Sequence, residues 1–249
     1  MNNCIDLNGK TALITGATKG IGKAVASDFI EAGANVLLTG TNINNIALLN
    51  AENENPKVKW FVADFSTLYG IELFIYELEK TKNIDICVNN AGINIIKPFE
   101  EYSDNDYQRL LSINLTAPFN IVKQLLPNMK KKGGGRIVNI ASIWSHKSKP
   151  GRALYSTSKS GLAGFTRSIA VEYASSNILV NAVSPGFTLT ELTKNSLSKE
   201  EINDLSNQIP LKRFAKPEEI SKTVLFLCSN MNSYITGQNI IIDGGFTLV

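Results

Sequence analysis

The sequence predicts an α/β fold in which one parallel sheet of about seven strands carries helices on both faces. Short apolar runs rich in β-branched residues alternate with segments of helical periodicity along the whole chain. This alternation is typical of doubly wound parallel sheets with right-handed crossovers. No linker rich in proline, glycine or serine interrupts it, and 249 residues, 43% of them hydrophobic, suffice for one large core. We therefore expect a single domain over 1–249.

The individual elements are predicted from local periodicity. A helix over 20–32 follows the first strand, with Val25 and Phe29 on its apolar side and Gly33 as its end. The strands are predicted at 11–15, 36–39, 57–62, 84–89, 136–141, 178–183 and 239–242, and the other helices around 66–81, 103–130, 153–174 and 217–230. The segment 187–214 departs from this rhythm because it is long, polar and charged. Such a connection is typical of a lid or binding loop, so we expect the substrate loop there.

The composition argues against several classes of function. The net charge of +3 is the difference between 25 basic and 22 acidic residues, and the dense basic runs 130–132 and 146–152 are typical of solvated surface rather than of a nucleic-acid site. No apolar run approaches the roughly 20 residues of a membrane span, and no charged-then-apolar leader opens the chain. Cys4, Cys87 and Cys228 lack metal-ligand spacing, and His146 is the single histidine. We expect reduced thiols in a cytoplasmic protein and no metal site.

A glycine-rich turn joins the first predicted strand to the first predicted helix. Its glycines have the spacing Gly-x-x-x-Gly-x-Gly, and its residues include Gly16, Thr18, Lys19, Gly20, Ile21 and Gly22. The backbone amides of such a turn point at an anion, and the helix N-terminus adds positive potential. Glycine also permits close approach of a ligand to the backbone. In this context the turn predicts a pyrophosphate site for a dinucleotide.

Tyr155 and Lys159 stand four residues apart in a predicted helix, shortly after Ser142. Residues at positions i and i+4 share a helix face, so the Lys159 ammonium is expected near the Tyr155 hydroxyl. A free phenol, with a pKa near about 10, exchanges protons poorly at neutral pH. A fixed cation favours the phenolate and lowers that pKa toward the working range. A phenol of this kind beside a dinucleotide turn predicts hydride transfer at a carbonyl or alcohol carbon.

Six motifs occur in a characteristic order. They are the glycine-rich turn, Asn89-Asn90-Ala91-Gly92, Asn114, Ser142, Tyr155 with Lys159, and Pro185-Gly186. With them the chain resembles the short-chain dehydrogenase/reductase family over residues 7–249, and most of all its 3-oxoacyl-(acyl-carrier-protein) reductase-like members. The resemblance implies a single-domain Rossmann-type fold and an enzyme that transfers a hydride between nicotinamide and a ketone or secondary alcohol.

The resemblance also implies a role for each catalytic residue. Tyr155 exchanges the proton with the substrate oxygen, and Ser142 hydrogen-bonds and orients that oxygen. Lys159 holds the nicotinamide ribose and lowers the pKa of Tyr155. Asn114 positions a water that links Lys159 to solvent. Asn114 has a second interpretation as a helix-kink residue, because Pro118 lacks the backbone donor that would bond to it.

Further residues are implied to contact the cofactor or the substrate. Asp64 matches the position that contacts the adenine amino group, although a cap for the following helix is an alternative. Asn90, Ala91 and Gly92 match the loop along the adenine-side ribose. Thr188, after Pro185 and Gly186, matches the residue that holds the carboxamide. The substrate-contacting set is Ser142, Trp144 and Tyr155.

The charge near the second strand bears on which cofactor binds. NAD-specific members carry an acidic residue at the end of that strand, to bind the ribose 2′-hydroxyl. Here the strand ends without a carboxylate, Lys19 lies where relatives carry a basic residue for the 2′-phosphate, and Thr41 adds a hydroxyl. NADP(H) is therefore favoured. Many NADP-specific members have an arginine on the second strand that this chain lacks, so NAD(H) stays possible.

Three functions from different classes stay open. The first is an NADP(H)-dependent reductase of a ketone, with an NAD-dependent dehydrogenase of a sugar or small polyol as its variant. The second is a dinucleotide-bound scaffold or regulator, which the intact catalytic set disfavours. The third is a lyase or epimerase, for which the sequence shows no further acid/base groups.

We also expect a homo-oligomer, most of all a tetramer. The segment around the catalytic helix has more apolar residues than one sheet-facing stripe requires, including Phe165, Ile169, Val171 and Tyr173. The last four residues, 246–249, are apolar too, at a terminus that would otherwise be frayed. The alternative is that these residues fold back onto their own core.

Overall fold

The computed structural model describes residues 5–81, 83–191, 193 and 197–249. Its centre is one sheet of seven parallel strands in the order β3-β2-β1-β4-β5-β6-β7. The strands are β1 (Thr11–Ile14), β2 (Asn35–Gly40), β3 (Val58–Val62), β4 (Ile86–Asn89), β5 (Gly135–Ile140), β6 (Ile178–Pro185) and β7 (Asn239–Ile242). The predicted fold class, a doubly wound parallel sheet of about seven strands flanked by helices, is confirmed.

Eight α-helices belong to the described residues. They are α1 (Gly20–Glu31), α2 (Ile43–Ala51), α3 (Leu68–Glu79), α4 (Asp104–Leu111), α5 (Ala117–Lys132), α6 (Ala153–Tyr173), α7 (Lys199–Gln208) and α8 (Pro217–Cys228). A π-helical turn at Ser112–Thr116 lies between α4 and α5. No helix in the described ranges has the length and apolarity that crossing a bilayer demands.

Two apolar cores cover the two faces of the sheet. On one face, Val25 and Phe29 of α1 pack with Val224 of α8. On the other, Phe74 of α3 and Ile121 of α5 are buried with their neighbours. Burial of a side chain of this size stabilises by about 1.5–3 kcal/mol, so the helices are held to the sheet mainly by these cores.

A buried carboxylate joins the first and last helices. Asp28 of α1 accepts hydrogen bonds from the Ser221 hydroxyl and from the Lys222 ammonium of α8, the latter at 2.7 Å. The Asp28 side chain is nearly inaccessible and Ser221 is fully buried. The pairing satisfies polar groups that would otherwise destabilise this interface.

Three departures from the predicted elements have physical causes. Helix α2 was not predicted because its burial rests on Ile46 alone, so it lacks an amphipathic stripe. Helix α7 lies inside the expected loop 187–214, where a Ser198–Glu201 capping box starts a helix without buried residues. The predicted helix 103–130 is interrupted by the π-turn Ser112–Thr116.

Candidate active site

The carboxyl ends of β1 and β4 meet where the strand order reverses, which is the usual ligand crevice of such sheets. Thr15 joins the loop that follows β1 to the loop that follows β4. Its hydroxyl oxygen accepts hydrogen bonds from the backbone amides of Asn90 and Ala91, both at 3.0 Å. The Asn90 side-chain amide donates to the carbonyls of Thr15 and Gly16, at 2.9 and 3.0 Å. The loop predicted to line the ribose is thus fixed to the glycine-rich turn.

The glycine-rich turn has no room for side chains at two of its glycines. A Cβ on Gly16, whose φ is +64°, would lie 2.9 Å from the Ala91 Cα. A Cβ on Gly22 would lie 2.3 Å from the Gly16 carbonyl oxygen. The turn is therefore closely packed against the Asn90–Ala91 loop while its backbone opens α1. This is the arrangement that holds a pyrophosphate at a helix N-terminus, so the residues present fit a dinucleotide.

The residues predicted at the adenosine end lie on the surface beside this turn. Lys19 is the exposed N-cap residue of α1, and Thr41 is exposed just after β2. Asp64 is exposed after β3, where its carboxylate accepts from the Ser66 amide at 2.9 Å. The cap of α3 is Thr67, whose hydroxyl accepts from the Gly70 amide at 3.1 Å. The alternative of Asp64 as that helix cap is therefore wrong.

Ser142, Tyr155 and Lys159 are brought together at the end of β5 and the start of α6. Ser142 follows β5, and its hydroxyl oxygen accepts from the Trp144 amide at 3.3 Å. Tyr155 and Lys159 lie on successive turns of α6, with the Lys159 Nζ 5.7 Å from the Tyr155 ring centroid. The ammonium therefore lies beside the phenol ring, and its expected proximity to the Tyr155 hydroxyl stays a prediction.

Burial sets the proton affinities of this pair. Burial raises the pKa of Tyr155 above its usual value, while a hydrogen bond with Ser142 and the charge of Arg152 act in the opposite direction. Burial lowers the pKa of Lys159 to about 8. Lys159 still carries its charge at neutral pH, below that value. That it lowers the pKa of Tyr155 remains a prediction for the complex.

Asn114 is fully buried in the π-turn and bonds to the two segments on either side of it. Its Nδ2 donates to the Ile93 carbonyl at 2.9 Å and to the Ser158 hydroxyl at 3.1 Å. Its Oδ1 accepts from the Ile93 amide at 2.9 Å. The helix is irregular where Pro118 lacks a donor, in agreement with the kink interpretation. The bond to Ser158 holds the Asn114 side chain against α6, where Ser158 is the residue directly before Lys159.

Pro185 is the last residue of β6, and Gly186 and Thr188 follow it at the carboxyl edge of the sheet. A Cβ on Gly186 would lie 2.7 Å from the Asp243 Cβ, so the close approach of the segment after β7 requires glycine. Thr188 is buried, and its hydroxyl donates to the Gly186 carbonyl at 3.2 Å. The structure brings these residues to the same edge of the sheet as Ser142.

Aromatic rings cluster around Trp144, one of the residues predicted to contact the substrate. Trp144 is 7% exposed, and its ring lies 6.4 Å from that of Phe187 and 6.3 Å from that of Phe246. Phe187 also stacks on Phe214 at 5.2 Å, so both ends of the predicted substrate loop belong to this cluster. Phe246 was missed as a site residue because nothing in the sequence links the chain end to Trp144.

The cysteines and the possible metal ligands also feature in the sequence predictions, and the structure places most of them. Cys87 and Cys228 are buried free thiols, and Cys4 lies outside the described residues. In the part of the chain that the structure covers, no three His, Cys, Asp or Glu side chains cluster in a way that would hold a metal ion.

The doubly wound sheet, with Ser142, Tyr155 and Lys159 beside a glycine-rich turn, has the organisation of a nicotinamide-dependent oxidoreductase. A family model described as enoyl-(acyl carrier protein) reductase matches residues 16–247. The chain belongs to the short-chain dehydrogenase/reductase family and is an oxidoreductase.

The chain is similar over nearly its whole length to proteins of known sequence and structure. It is 42% identical to the 3-oxoacyl-(acyl-carrier-protein) reductase FabG of Aquifex aeolicus, with 97% of this chain and 98% of that protein covered. A candidate NAD(P)-dependent gluconate 5-dehydrogenase from Beutenbergia cavernae, with NADP at low occupancy, superposes with a TM-score of 0.91 at 35% identity, covering 98% of this chain and 99% of that one. A gluconate 5-dehydrogenase from Burkholderia cenocepacia, in complex with NADP and tartrate, superposes with a TM-score of 0.89 at 29% identity. The match covers 98% of this chain and 97% of that one.

Proposed function

We propose that this protein reduces the ketone of a 3-oxoacyl compound with NADPH, and that residues 1–249 act as one domain with 187–214 as the substrate loop. The observation that carries the proposal is the placement of Ser142, Tyr155 and Lys159 beside the glycine-rich turn, at the carboxyl edge of the sheet. The similarity to 3-oxoacyl-(acyl-carrier-protein) reductases supports the substrate class. The NADP in two similar structures supports the cofactor.

The cofactor-binding residues are proposed from the family resemblance, and their positions around the crevice support them. The backbone around Gly16, Gly20 and Gly22 holds the pyrophosphate, with Thr18 and Ile21 in the same turn. Lys19 and Thr41 face the 2′-phosphate, and Asp64 the adenine. Bound NADPH supplies the hydride. Ala91, Gly92 and Thr188 line the crevice between these ends, and Asn90 acts by fixing the loop to the turn.

The chain's own groups handle the proton. The Ser142 hydroxyl donates a hydrogen bond to the substrate carbonyl oxygen, and the Tyr155 hydroxyl gives its proton to that oxygen as the alcohol forms. Lys159 binds the nicotinamide ribose and, by its charge, stabilises the phenolate that Tyr155 becomes. Asn114 holds the position from which a water reprotonates this pair. Trp144 packs beside the substrate.

A dehydrogenase of a sugar acid is the second candidate, because two similar structures are gluconate 5-dehydrogenases or candidates for that activity. The test is the oxidation of NADPH and of NADH by the purified protein with acetoacetyl-coenzyme A and with 5-ketogluconate. We expect the thioester with NADPH to give the highest kcat/KM. A higher value for 5-ketogluconate would favour the second candidate, and turnover of neither would contradict both.

We also propose that the protein forms a tetramer in the cytoplasm, without a nucleic-acid or membrane partner. The buried free thiols Cys87 and Cys228 fit a reducing compartment. Exposed apolar side chains on α5 and α6 support an interface. Phe119 is 48% exposed and packs on Phe165 with ring centroids 5.8 Å apart, and Val171 is 83% exposed. Phe246 folds back onto Trp144, whereas Leu248 and Val249 are exposed.

A further inference from the structure

Arg152 lies at the start of the catalytic helix, and the described residues give it no counter-charge. It is the N-cap residue of α6, three positions before Tyr155. Its Nε is buried with no hydrogen-bond partner, and its guanidinium forms no ion pair with any residue in the described ranges. An unpaired buried donor costs about 1–3 kcal/mol, more when charged, so such a group calls for an explanation.

Neighbouring groups hold the Arg152 guanidinium in place without neutralising it. Its Cζ lies 5.6 Å from the Trp144 ring centroid, and the Lys149 Nζ lies 5.6 Å from the same ring. The nearby Tyr102 does not neutralise the guanidinium, because its hydroxyl donates to the Ile95 and Gly151 carbonyls. Two cations therefore share one indole beside the catalytic phenol. A guanidinium attracted to an aromatic ring keeps its N–H donors for an anion.

Asp106, a carboxylate near the Tyr102 ring, has its own partner. The Lys97 ammonium, which lies 5.7 Å from that ring centroid, is 2.6 Å from the Asp106 carboxylate. Asp106 also accepts from the backbone and hydroxyl of Ser103 in a capping box. This acid is held by these contacts, so the positive potential around Arg152 and Lys149 is left for a ligand.

We propose that Arg152 is a specificity residue that binds a carboxylate of the substrate, a few bonds from the carbonyl that Tyr155 protonates. Arg152 precedes Tyr155 by three positions at the start of α6, and each group acts on the pKa of the other, so the guanidinium lies a short distance from the phenol. A guanidinium presents paired donors that match a planar carboxylate. The proposal rests on the proposed ketone reduction and extends its 3-oxoacyl substrates from thioesters to free oxo acids.

The test compares two substrates that differ in this charge, acetoacetate and its neutral ethyl ester, with NADPH. We expect Arg152→Gln to lower kcat/KM for acetoacetate by about 10- to 150-fold, the equivalent of one lost charge-assisted contact, chiefly through KM. The ester should show only the smaller loss that follows from removing the Arg152 charge beside Tyr155. Arg152→Lys, which keeps the charge, should restore part of the loss for acetoacetate. The control is Arg167→Gln, an exposed position on the same helix, which should change neither substrate. Equal losses for acid and ester, or no loss for the acid, would overturn the proposal.

A binding measurement separates this inference from the proposed function. Saturation-transfer NMR with butyrate and butyramide, which have nearly the same shape, requires no turnover. We expect the wild type to bind butyrate in preference to butyramide, and Arg152→Gln to lose that preference. Failure to reduce any ketone, with the butyrate preference intact, would contradict the proposed function alone. Equal binding of butyrate and butyramide by the wild type would overturn the carboxylate site, whether or not the variant folds.

Discussion

The Lys159 ammonium donates a hydrogen bond to the Ile140 carbonyl, with an Nζ to O distance of 2.7 Å. Ile140 ends β5 two residues before Ser142, so this bond joins α6 to the strand that precedes Ser142, the proposed catalytic serine. Lys159 is 3% exposed, and a buried cation with a carbonyl as its partner is held at a cost in solvation. The pKa of Lys159, lowered to about 8, reflects that cost.

The first prediction concerns stability and pH. The folded state gives up the Lys159 proton near about pH 8, whereas the unfolded chain keeps it to about 10.4. Between these values the unfolded state binds more protons, so the free energy of unfolding should rise with pH, by at most about 1.4 kcal/mol per unit. Urea titrations at about pH 7 and about pH 9.5 measure this, and Lys159→Met should remove that part of the slope. An identical slope in the variant would contradict the assignment.

The second prediction concerns a buried polar chain that supports the catalytic helix. Asn89 of β4 donates to Asn139 of β5 at 2.8 Å, and Asn139 donates to the Thr166 hydroxyl of α6 at 2.9 Å. Thr166→Val removes that acceptor and should lower the free energy of unfolding by about 1–3 kcal/mol. Chemical denaturation measures the change.

An exposed threonine on the same helix provides the control. The Thr157 hydroxyl donates to the Ala153 carbonyl at 2.9 Å, as Thr166 does to Leu162 at 2.8 Å, but Thr157 is exposed. Thr157→Val should stay within about 0.5 kcal/mol of the wild type. If the two variants lose equal stability, the buried chain does not support α6 as described.

The third prediction concerns the choice of cofactor. Lys19→Ala removes a positive charge beside the glycine-rich turn, so it should weaken NADPH by about 10- to 150-fold and leave NADH nearly unchanged. Fluorescence titration of both reduced cofactors measures this. Lys23→Ala, an exposed lysine one turn further along α1, is the control and should affect neither. Equal weakening of NADPH and NADH by Lys19→Ala would show that the preference is set elsewhere.

The fourth prediction concerns assembly. Light scattering should give a mass several times the 27.2 kDa of one chain. Charges at Phe119 and Val171, introduced together as Phe119→Asp and Val171→Glu, should dissociate the oligomer because they desolvate poorly at an apolar interface. Leu68→Asp, at an exposed position on α3, should leave the mass unchanged. A wild-type mass near one chain would contradict the proposal.

Much of the fold was predictable because buried parallel strands are continuous apolar runs. Strand β7 was predicted with the observed bounds, and the other strands within two residues. Helix α2 was not predictable in this way, since one buried residue, Ile46, gives no period. The π-turn around Asn114 depends on tertiary contacts with Ile93 and Ser158 that no local pattern encodes.

The site was predictable where residues lie close together in sequence and not where the fold brings them together. Tyr155 and Lys159 share a helix, so their proximity follows from spacing. Thr15 emerged from contacts across the switch point, because a threonine at a strand end has no distinctive spacing. Arg152 belongs to the basic run 146–152, which the sequence predicts to be solvated surface. Only the burial of its Nε and its position near Trp144, which depend on the fold, identify it as a candidate site residue.

The central claim is that Tyr155 exchanges the proton during hydride transfer. Tyr155→Phe keeps the ring and removes the hydroxyl, so the most direct measurement is NADPH oxidation by this variant with a ketone that the wild type reduces. Turnover should fall by roughly 10²–10⁴, the contribution of general acid–base catalysis, while NADPH binding measured by fluorescence stays at the wild-type level. Turnover close to that of the wild type would contradict the mechanism.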